Sequence, residues 1–377
     1  MSRALVTGAE GFIGRRVVNL LRAHGHEVLT YVSSDSPKQL ASQVARSEFI
    51  FHFAGVNRPT DPAEFEKVNA GLTEQLCRDV LKSGSEAVVV LASSSQAALD
   101  NPYGQSKRHA ETIVEKFARD GGRAVIFRLP NVYGPGGRPN YNSVVNTFAF
   151  NAARGKPLEI HEPNRELTLV YVHDVAGAMA DLLSNQKSIR GVVHSEVSPT
   201  SRITVQKLAD TFLGFRRSRE NAKVPSIADD FGRKLYATYL SYLEPADFSY
   251  NLATRSDDRG SLAEFLKSEH AGQIFVSRTR PGEVRGNHYH LTKTEKFLVL
   301  EGEGVIRFRR VDGTGRSVDR TERPIEYSVS GTEFKVVDIP PDYAHSIENV
   351  GSGDLVVLFW ASEIFDPESP DTTPLKV

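Results

Sequence analysis

From the first residue to about residue 245, short apolar runs of strand length alternate with longer stretches whose apolar positions recur at helical spacing. The strand-length runs are 4–7, 27–32, 49–53, 87–92 and 124–129, and stretches such as 12–23 and 103–119 carry the helical pattern. Such alternation predicts βαβ units, and five strands with intervening helices make a doubly wound parallel α/β sheet. Beyond about residue 250 the texture changes to short β-type runs, 274–278, 295–300, 305–309, 334–339 and 355–360, punctuated by Gly and Pro. Strands at that spacing predict an all-β sandwich or barrel. The change of texture falls near Leu243-Glu-Pro-Ala-Asp247, so domains are expected at 1–245 and 246–377, with no internal repeat and no low-complexity tract.

Composition narrows the classes. The chain has 377 residues, enough for two cores, and its 46 Lys and Arg against 47 Asp and Glu leave a net charge of -1 with no block of like charge. That balance gives no electrostatic case for nucleic acid or an anionic membrane. The longest apolar run, 355–361, has seven residues, where a bilayer needs roughly 20. A soluble protein without a signal peptide is expected. The single cysteine, Cys77, cannot form an internal disulfide, which suits the cytoplasm. It lies among Leu72, Leu76, Val80 and Leu81 at helical spacing and reads as a small buried hydrophobe.

Gly8-Ala-Glu-Gly11-Phe12-Ile13-Gly14 sits between the first strand and the first helix. There, glycines let the backbone approach a pyrophosphate and the helix start offers free N–H groups, the arrangement of a dinucleotide site. The acid that often ends the second strand and holds a ribose 2′-hydroxyl is missing from Tyr31-Val-Ser33-Ser34, although Asp35 follows. Ser33, Ser34 and Arg15 or Arg16 would suit a 2′-phosphate, which favours NADPH and leaves NADH open. Tyr103 and Lys107 lie four residues apart on one helical face, after a fourth strand ending in Ser93-Ser94-Ser95. A phenol titrating near ~10 is a poor acid at neutral pH, and a close cation lowers that value. Serine, tyrosine and lysine together can move the proton of an alcohol while a nicotinamide moves the hydride.

Thr7-Gly-Ala-Glu-Gly-Phe-Ile-Gly14, His52-Phe-Ala54-Gly55, Ser93 to Ser95, Tyr103-x-x-x-Lys107, Arg128-x-x-Asn131-Val-Tyr-Gly-Pro135 and Tyr171-Val-His173-Asp174 together resemble the extended short-chain dehydrogenase/reductases in order and spacing. The resemblance implies that Gly8, Gly11, Phe12, Ile13, Gly14, Ser33, Ala54, Gly55 and Lys107 line the cofactor. It also implies Ser94 as the catalytic serine, with Ser95 the alternative, Tyr103 as the acid and Lys107 as its partner. Many members act on nucleotide sugars, so the lobe 136–245 is expected to grip a UDP- or dTDP-sugar, with Asn131, Asn140, Tyr141 and His173 as candidate contacts.

The second half reads Gly282-x5-His288-x-His290-x4-Glu295-x6-Gly302, followed by Pro340-Pro-Asp-Tyr-Ala-His345-Ser-Ile-Glu-Asn349. His-x-His on a strand points both imidazoles to one face, and Glu295 can return from the next strand. Three histidines and a carboxylate suit Zn²⁺, with Fe²⁺, Mn²⁺ or Ni²⁺ as alternatives. Both motifs resemble the cupins, small jelly-roll barrels, except that Asp342 stands where glycine is usual. Asp257-Asp-Arg-Gly-Ser-Leu-Ala-Glu-Phe265 resembles the opening of the deoxysugar 4-keto epimerases, themselves cupins. A ketone acidifies its neighbouring C–H, and a metal beside its oxygen stabilises the carbanion formed there. Lys293, Lys296, Glu295 and a metal-bound hydroxide are the candidate bases.

Both halves in this order resemble the bacterial capsular-polysaccharide reductases of UDP-N-acetyl-L-fucosamine synthesis. The likeness extends to Phe53-Ala-Gly-Val-Asn-Arg-Pro59, Asp100-Asn-Pro-Tyr-Gly104, Pro139-Asn-Tyr-Asn-Ser143, Tyr239-Leu-Ser-Tyr242, Gly286-Asn-His-Tyr-His290 and Phe365-Asp-Pro-Glu-Ser-Pro-Asp371. It implies that the cupin inverts C3 of a UDP-2-acetamido-2,6-dideoxy-4-hexulose and that the reductase domain then reduces C4 with NADPH; a homodimer is the expected assembly. The alternatives are a single-activity 4-ketosugar reductase whose cupin binds substrate or joins subunits, and a non-catalytic NADP sensor.

Overall fold

The structure is a computed structural model that describes residues 1–225, 227–311 and 323–377, with the side chains of 185–187 outside the description. It divides into two units, Met1–Leu213 with Ile227–Glu244, and Gly214–Ser226 with Pro245–Val377. The break drawn at residue 245 from sequence does not anticipate the excursion of Gly214–Ser226 into the second unit.

The first unit opens with β1 (Arg3–Thr7), α1 (Gly14–Ala23), β2 (Glu27–Tyr31), α2 (Pro37–Val44), β3 (Phe49–His52), α3 (Gly71–Ser83), β4 (Val88–Ser94), α4 (Pro102–Arg119) and β5 (Arg123–Leu129). It continues through β6 (Asn131–Tyr133), α5 (Val144–Ala153), β7 (Glu166–Tyr171), α6 (Val172–Ala180), β8 (Val192–Ser195), β9 (Thr200–Thr204), α7 (Val205–Glu220, which passes into the second unit from Gly214) and α8 (Asp230–Leu240). The main sheet runs β2-β1-β3-β4-β5-β8, parallel throughout. Five of these strands are the predicted ones. The sixth, β8, has only four residues and a partly exposed burial pattern, too short and too polar to stand out in the sequence.

Burial on both faces explains the nearly unbroken apolar strands. Alternate residues feed two separate cores: Ala4, Val6, Phe49, Phe51, Val88 and Val90 on one side, Leu5, Ile50, Val89 and Leu91 on the other. Helices α1 and α6 contribute to the first core, and α2, α3 and α4 to the second, where Cys77 is buried as expected. Helix α4 starts where it does because the Asn101 side chain accepts from Gly104 N at 2.8 Å and Pro102 occupies the first turn. Strands β6, β7 and β9 form a small second sheet.

The second unit contains β10 (Thr254–Asp257), β11 (Gly260–Ser268), β12 (Gly272–Thr279), β13 (Val284–Tyr289), β14 (Glu295–Glu301), β15 (Glu303–Arg310), β16 (Ile325–Ser330), β17 (Val336–Ile339), β18 (Tyr343–Asn349), β19 (Leu355–Ala361) and β20 (Thr373–Pro374). They form two antiparallel sheets, β10-β11-β12-β19-β14-β17 and β16-β15-β18-β13-β20. Both contribute to one core, Phe297, Val299, Leu355, Val357 and Phe359 from the first and Ile306, Phe308 and Ile347 from the second. This is the all-β barrel architecture expected of a cupin. The run predicted at 334–339 begins as strand only at Val336, and Phe334 is exposed.

Ile306 is fully buried in that core, so Ile306→Ala is expected to lower the barrel's unfolding free energy by about 2–5 kcal/mol, measured by urea denaturation.

Candidate active sites

The glycine loop lies between β1 and α1. Gly8 has φ +65°, and a Cβ there would stand 2.7 Å from Ala54 N; one on Gly14 would stand 2.2 Å from Gly8 O. The first turn of α1 thus folds directly onto the loop: Arg15 N–H donates to Gly11 O at 3.1 Å and Arg16 N–H to Ile13 O at 3.0 Å, and the N-cap residue Ile13 makes no side-chain capping bond. The loop is braced from β3. Ala54 N–H donates to Thr7 Oγ1 at 3.3 Å, Thr7 and His52 Nδ1 are 2.7 Å apart, and His52 Nε2 is 3.0 Å from Thr73 Oγ1, which donates to Asn69 O at 2.6 Å. Because the Thr73 proton is committed to Asn69, the His52 Nε2–H must donate and its Nδ1 must accept from Thr7. Burial, helped by Lys107, pushes the His52 pKa down to about 3, so the ring is neutral as this relay requires.

Asn69 lies in a π-helical turn, Phe65–Ala70, and is the residue that motif reading missed. Its amide accepts from Val56 N at 2.8 Å and donates to Val56 O at 3.1 Å and Ser106 Oγ at 3.0 Å, tying the segment after Gly55 to α4. No local spacing signals this, since its partners lie 13 and 37 residues away.

Strand alternation separates the three serines. Ser93 donates to Glu111, which also holds Arg128 through contacts of 2.6–3.1 Å, so Ser93 serves a buried carboxylate whose ion-pair partner is exposed. Ser94 faces the other way, hydrogen-bonds the Tyr103 hydroxyl and accepts from Gln96 N at 3.1 Å. Ser95 is exposed at the start of a 3-10 turn. Lys107 is buried and donates to Ala92 O at 2.7 Å; burial pulls its pKa down to about 8 against the opposing effect of Glu111. Tyr103 departs from the expectation of a lowered phenol. Burial raises its pKa above the ordinary value, and the Ser94 hydrogen bond only partly offsets this.

Several cofactor and substrate expectations change. Arg15 and Arg16 each engage one Nη2: Arg15 donates to Gly136 O and Arg16 to Pro135 O at 2.7 Å, joining α1 to the loop after β6, while the Nε of each is buried without a hydrogen-bond partner among the described residues. The Asp35 carboxylate turns back to accept from Val32 N at 2.8 Å, and Ser33 and Ser34 are exposed beside it. Asn131 donates to Thr168 O at 3.2 Å. Asn140 has φ +55° and donates its N–H to Thr147 Oγ1 at 3.0 Å, so it shapes its turn. Tyr141 acts electrostatically on Tyr103 and carries Arg138 over its ring at 4.8 Å. His173 packs on Tyr171, with ring centroids 5.0 Å apart.

In the barrel, His288, His290, Glu295 and His345 converge, with ligand atoms all within 4.8 Å of one another. His288 pairs directly with His345 after a bulge in β13 at Gly286–His288. His345 Nδ1–H donates to Tyr343 O at 3.3 Å and His290 Nδ1–H to Asp371 O, which turns both Nε2 atoms inward. Those atoms lie 3.4 and 3.3 Å from Glu295 Oε2, yet both are buried and neither makes an aligned hydrogen bond. Burial would raise the Glu295 pKa, but the two imidazoles outweigh it and hold the carboxyl below its usual range. Orphaned imidazole nitrogens around a carboxylate fit a divalent cation of the zinc type. Asp342 adopts φ +60°, so aspartate keeps the left-handed turn that glycine would make. Lys296 points outward to Asp338, whereas Lys293 is buried and close enough for its charge to act on His288.

Residues 4–193 match the NAD dependent epimerase/dehydratase family and residues 255–373 the polysaccharide biosynthesis C-terminal domain. The UDP-2-acetamido-2,6-beta-L-arabino-hexul-4-ose reductase of Pseudomonas aeruginosa is 40% identical over 377 residues, covering 100% of this chain and 99% of that protein. The crystal structure of the capsular polysaccharide assembling protein CapF from Staphylococcus aureus has a TM-score of 0.88 at 38% identity, covering 99% of this chain and 100% of that one. MoeE5 in complex with UDP-glucose and NAD is 26% identical, with a TM-score of 0.50 over 56% of this chain and 80% of that one. The chain belongs to the NAD dependent epimerase/dehydratase family, in the branch that carries the polysaccharide biosynthesis domain behind it, and is an NAD(P)-dependent oxidoreductase.

Gly14→Ala places a methyl group against Gly8 O and is expected to weaken NAD(P)H binding at least about tenfold by fluorescence titration.

Proposed function

We propose that the first unit reduces C4 of a UDP-2-acetamido-2,6-dideoxy-4-hexulose with NADPH and that the barrel first inverts C3 of the same sugar, in capsule or O-antigen precursor synthesis in the cytoplasm. The observation that carries the reduction is the placement of the half-buried Tyr103 near the start of α4, with Ser94 at the end of β4 acting on its hydroxyl. The full-length relative named as a hexul-4-ose reductase supports the substrate class. NADPH is favoured because Asp35 is spent on its own turn and the exposed Ser33 and Ser34 hydroxyls remain to meet a 2′-phosphate.

Bound at the glycine loop, the cofactor supplies a hydride to C4. Tyr103 gives its proton to the ketone oxygen, so that the carbonyl becomes a secondary alcohol, and Ser94 holds that oxygen by a hydrogen bond. A phenol held neutral by burial is in the protonation state this direction needs. Lys107, bonded to Ala92 O beneath it, provides the positive field that stabilises the phenolate left behind.

In the barrel, His288, His290, Glu295 and His345 would hold the metal, zinc by its donor set, and the ion would supply Lewis-acid polarisation of the ketone. The C3 proton, acidified by that ketone, leaves from one face and returns on the other. Outside the cluster, the buried Lys293, whose charge acts on His288, is the candidate base, whereas Lys296 is held outward by Asp338. A second reading, a reductase alone with a binding barrel, is favoured by the relative's name, which specifies only a reductase.

Tyr103→Phe is expected to abolish NADPH oxidation with a UDP-4-ketosugar while leaving NADPH affinity within about twofold, since only the transferable proton is lost. Ser94→Ala should lower kcat by about 10²-fold or more, and Ser95→Ala should stay near wild type in the same assay. In D₂O, Tyr103→Phe should still introduce deuterium at C3 of the ketosugar, followed by NMR. Replacing His288, His290 and His345 together should stop that exchange. Deuterium that enters only with an intact Tyr103, or never, moves the chain to the reductase-only reading.

A further inference from the structure

The metal ligands His290 and Glu295 stand at the two ends of a short turn, residues 291–294, between β13 and β14. Three successive N–H groups of that turn converge on one carboxylate: Leu291 N donates to Asp371 Oδ1 at 2.8 Å, and Thr292 N and Lys293 N to Asp371 Oδ2 at 2.8 and 2.7 Å. The Thr292 hydroxyl donates to Oδ2 as well, at 2.9 Å. Consecutive amides wrapped around an anion fix the backbone angles of all three residues at once. The same residue's carbonyl accepts from His290 Nδ1–H, which leaves Nε2 as the nitrogen that faces Glu295 and His345. Asp371 therefore bonds the ring of one ligand and the turn that leads to another.

The neighbours of Asp371 extend this hold. Thr372 Oγ1 accepts from Lys293 Nζ at 3.0 Å, Thr373 and Pro374 pair with Tyr289 and His288, and Leu375 N donates to Asn287 O at 2.8 Å. The side chains of Leu375 and Val377 pack on Tyr289, Val311 and Ala344. Residues 371–377 thus run alongside the His-x-His strand and are locked to it, although about 80 residues of chain lie between them.

We propose that Asp371 is the positioning residue of the barrel's metal site, setting the tautomer of His290 and the turn between His290 and Glu295 so that the ligand atoms are preorganised. The inference rests on the metal reading of the barrel. A substitution keeps the main-chain carbonyl that bonds His290 and removes the carboxylate that holds the 291–293 turn; losing an outer support of metal ligands typically costs about 10–100-fold in metal affinity.

Zinc alone, titrated into the metal-free full-length protein against a chromogenic chelator, provides the test. Asp371→Ala is expected to bind zinc about 10–100-fold more weakly than wild type. Asp371→Asn, which keeps one acceptor oxygen and turns an NH2 toward the remaining amide donors, should recover only part of that loss. With Co²⁺ as a spectroscopic probe, Asp371→Ala should shift or weaken the visible d–d bands, and NADPH affinity should remain at the wild-type value. Thermal melts of the metal-free proteins separate positioning from folding. If Asp371→Ala binds zinc within about threefold of wild type, the proposal is overturned. A lowered metal-free melt with an unchanged Co²⁺ spectrum also overturns it, because the residue would then only stabilise the barrel. Wild-type protein that takes up no zinc defeats the metal reading itself, and this inference with it.

Discussion

Because every strand of the main sheet in the first unit runs in the same direction, the carboxyl ends of β1, β3 and β4 finish along one edge, where the buried Thr7, His52 and Ser94 lie. In the middle of the strands both faces are sealed by apolar residues, so a polar group there would be buried without a partner. Thr7 and His52 are directly paired in register, and Ser94 ends the next strand but one. The relay from Ala54 through Thr7, His52 and Thr73 to Asn69 satisfies each donor it contains, which is why a histidine can be fully buried there and neutral. That relay holds the glycine loop from below, and the Asn69 to Ser106 bond links it to the helix that carries Tyr103 and Lys107.

The barrel solves the opposite problem. Strands β14, β15 and β19 alternate between core and surface, and a bulge at Gly286–His288, with Asn287 at φ +58°, resets the register of β13 so that His288 falls opposite His345. The two imidazole nitrogens left without partners are an energetic cost of roughly 1–3 kcal/mol each, which the proposed metal would offset. The first unit thus closes its buried hydrogen bonds internally at the loop, while the second keeps two lone pairs open at its centre.

A hydride-transfer set and a cation-type cluster in one chain make sense for a single kind of molecule. A ketone accepts hydride at its carbonyl carbon and releases a proton from the carbon beside it, so under the proposed function both sites would address the same functional group in its two reactivities. Order follows from the same chemistry: once the ketone has become an alcohol, its neighbouring C–H is no longer acidic.

The features legible in the sequence are those that depend on neighbours a few positions away. Glycine spacing between a strand and a helix placed the loop at Gly8 to Gly14, helical spacing put Tyr103 and Lys107 on one face, and strand alternation joined His288 to His290. Local periodicity also distinguished a parallel sheet from a barrel. Tertiary structure decided everything set by register or by long loops: that β8 extends the sheet, that Ser94 rather than Ser93 meets Tyr103, and that Arg15 and Arg16 bond the loop after β6. It also decided that burial raises Tyr103, that Asn69 reaches Ser106, and that Asp371 closes on the turn after His290. Those contacts join residues whose separation carries no period, so no pattern along the chain encodes them; they arise only when the packed cores bring the strand ends together.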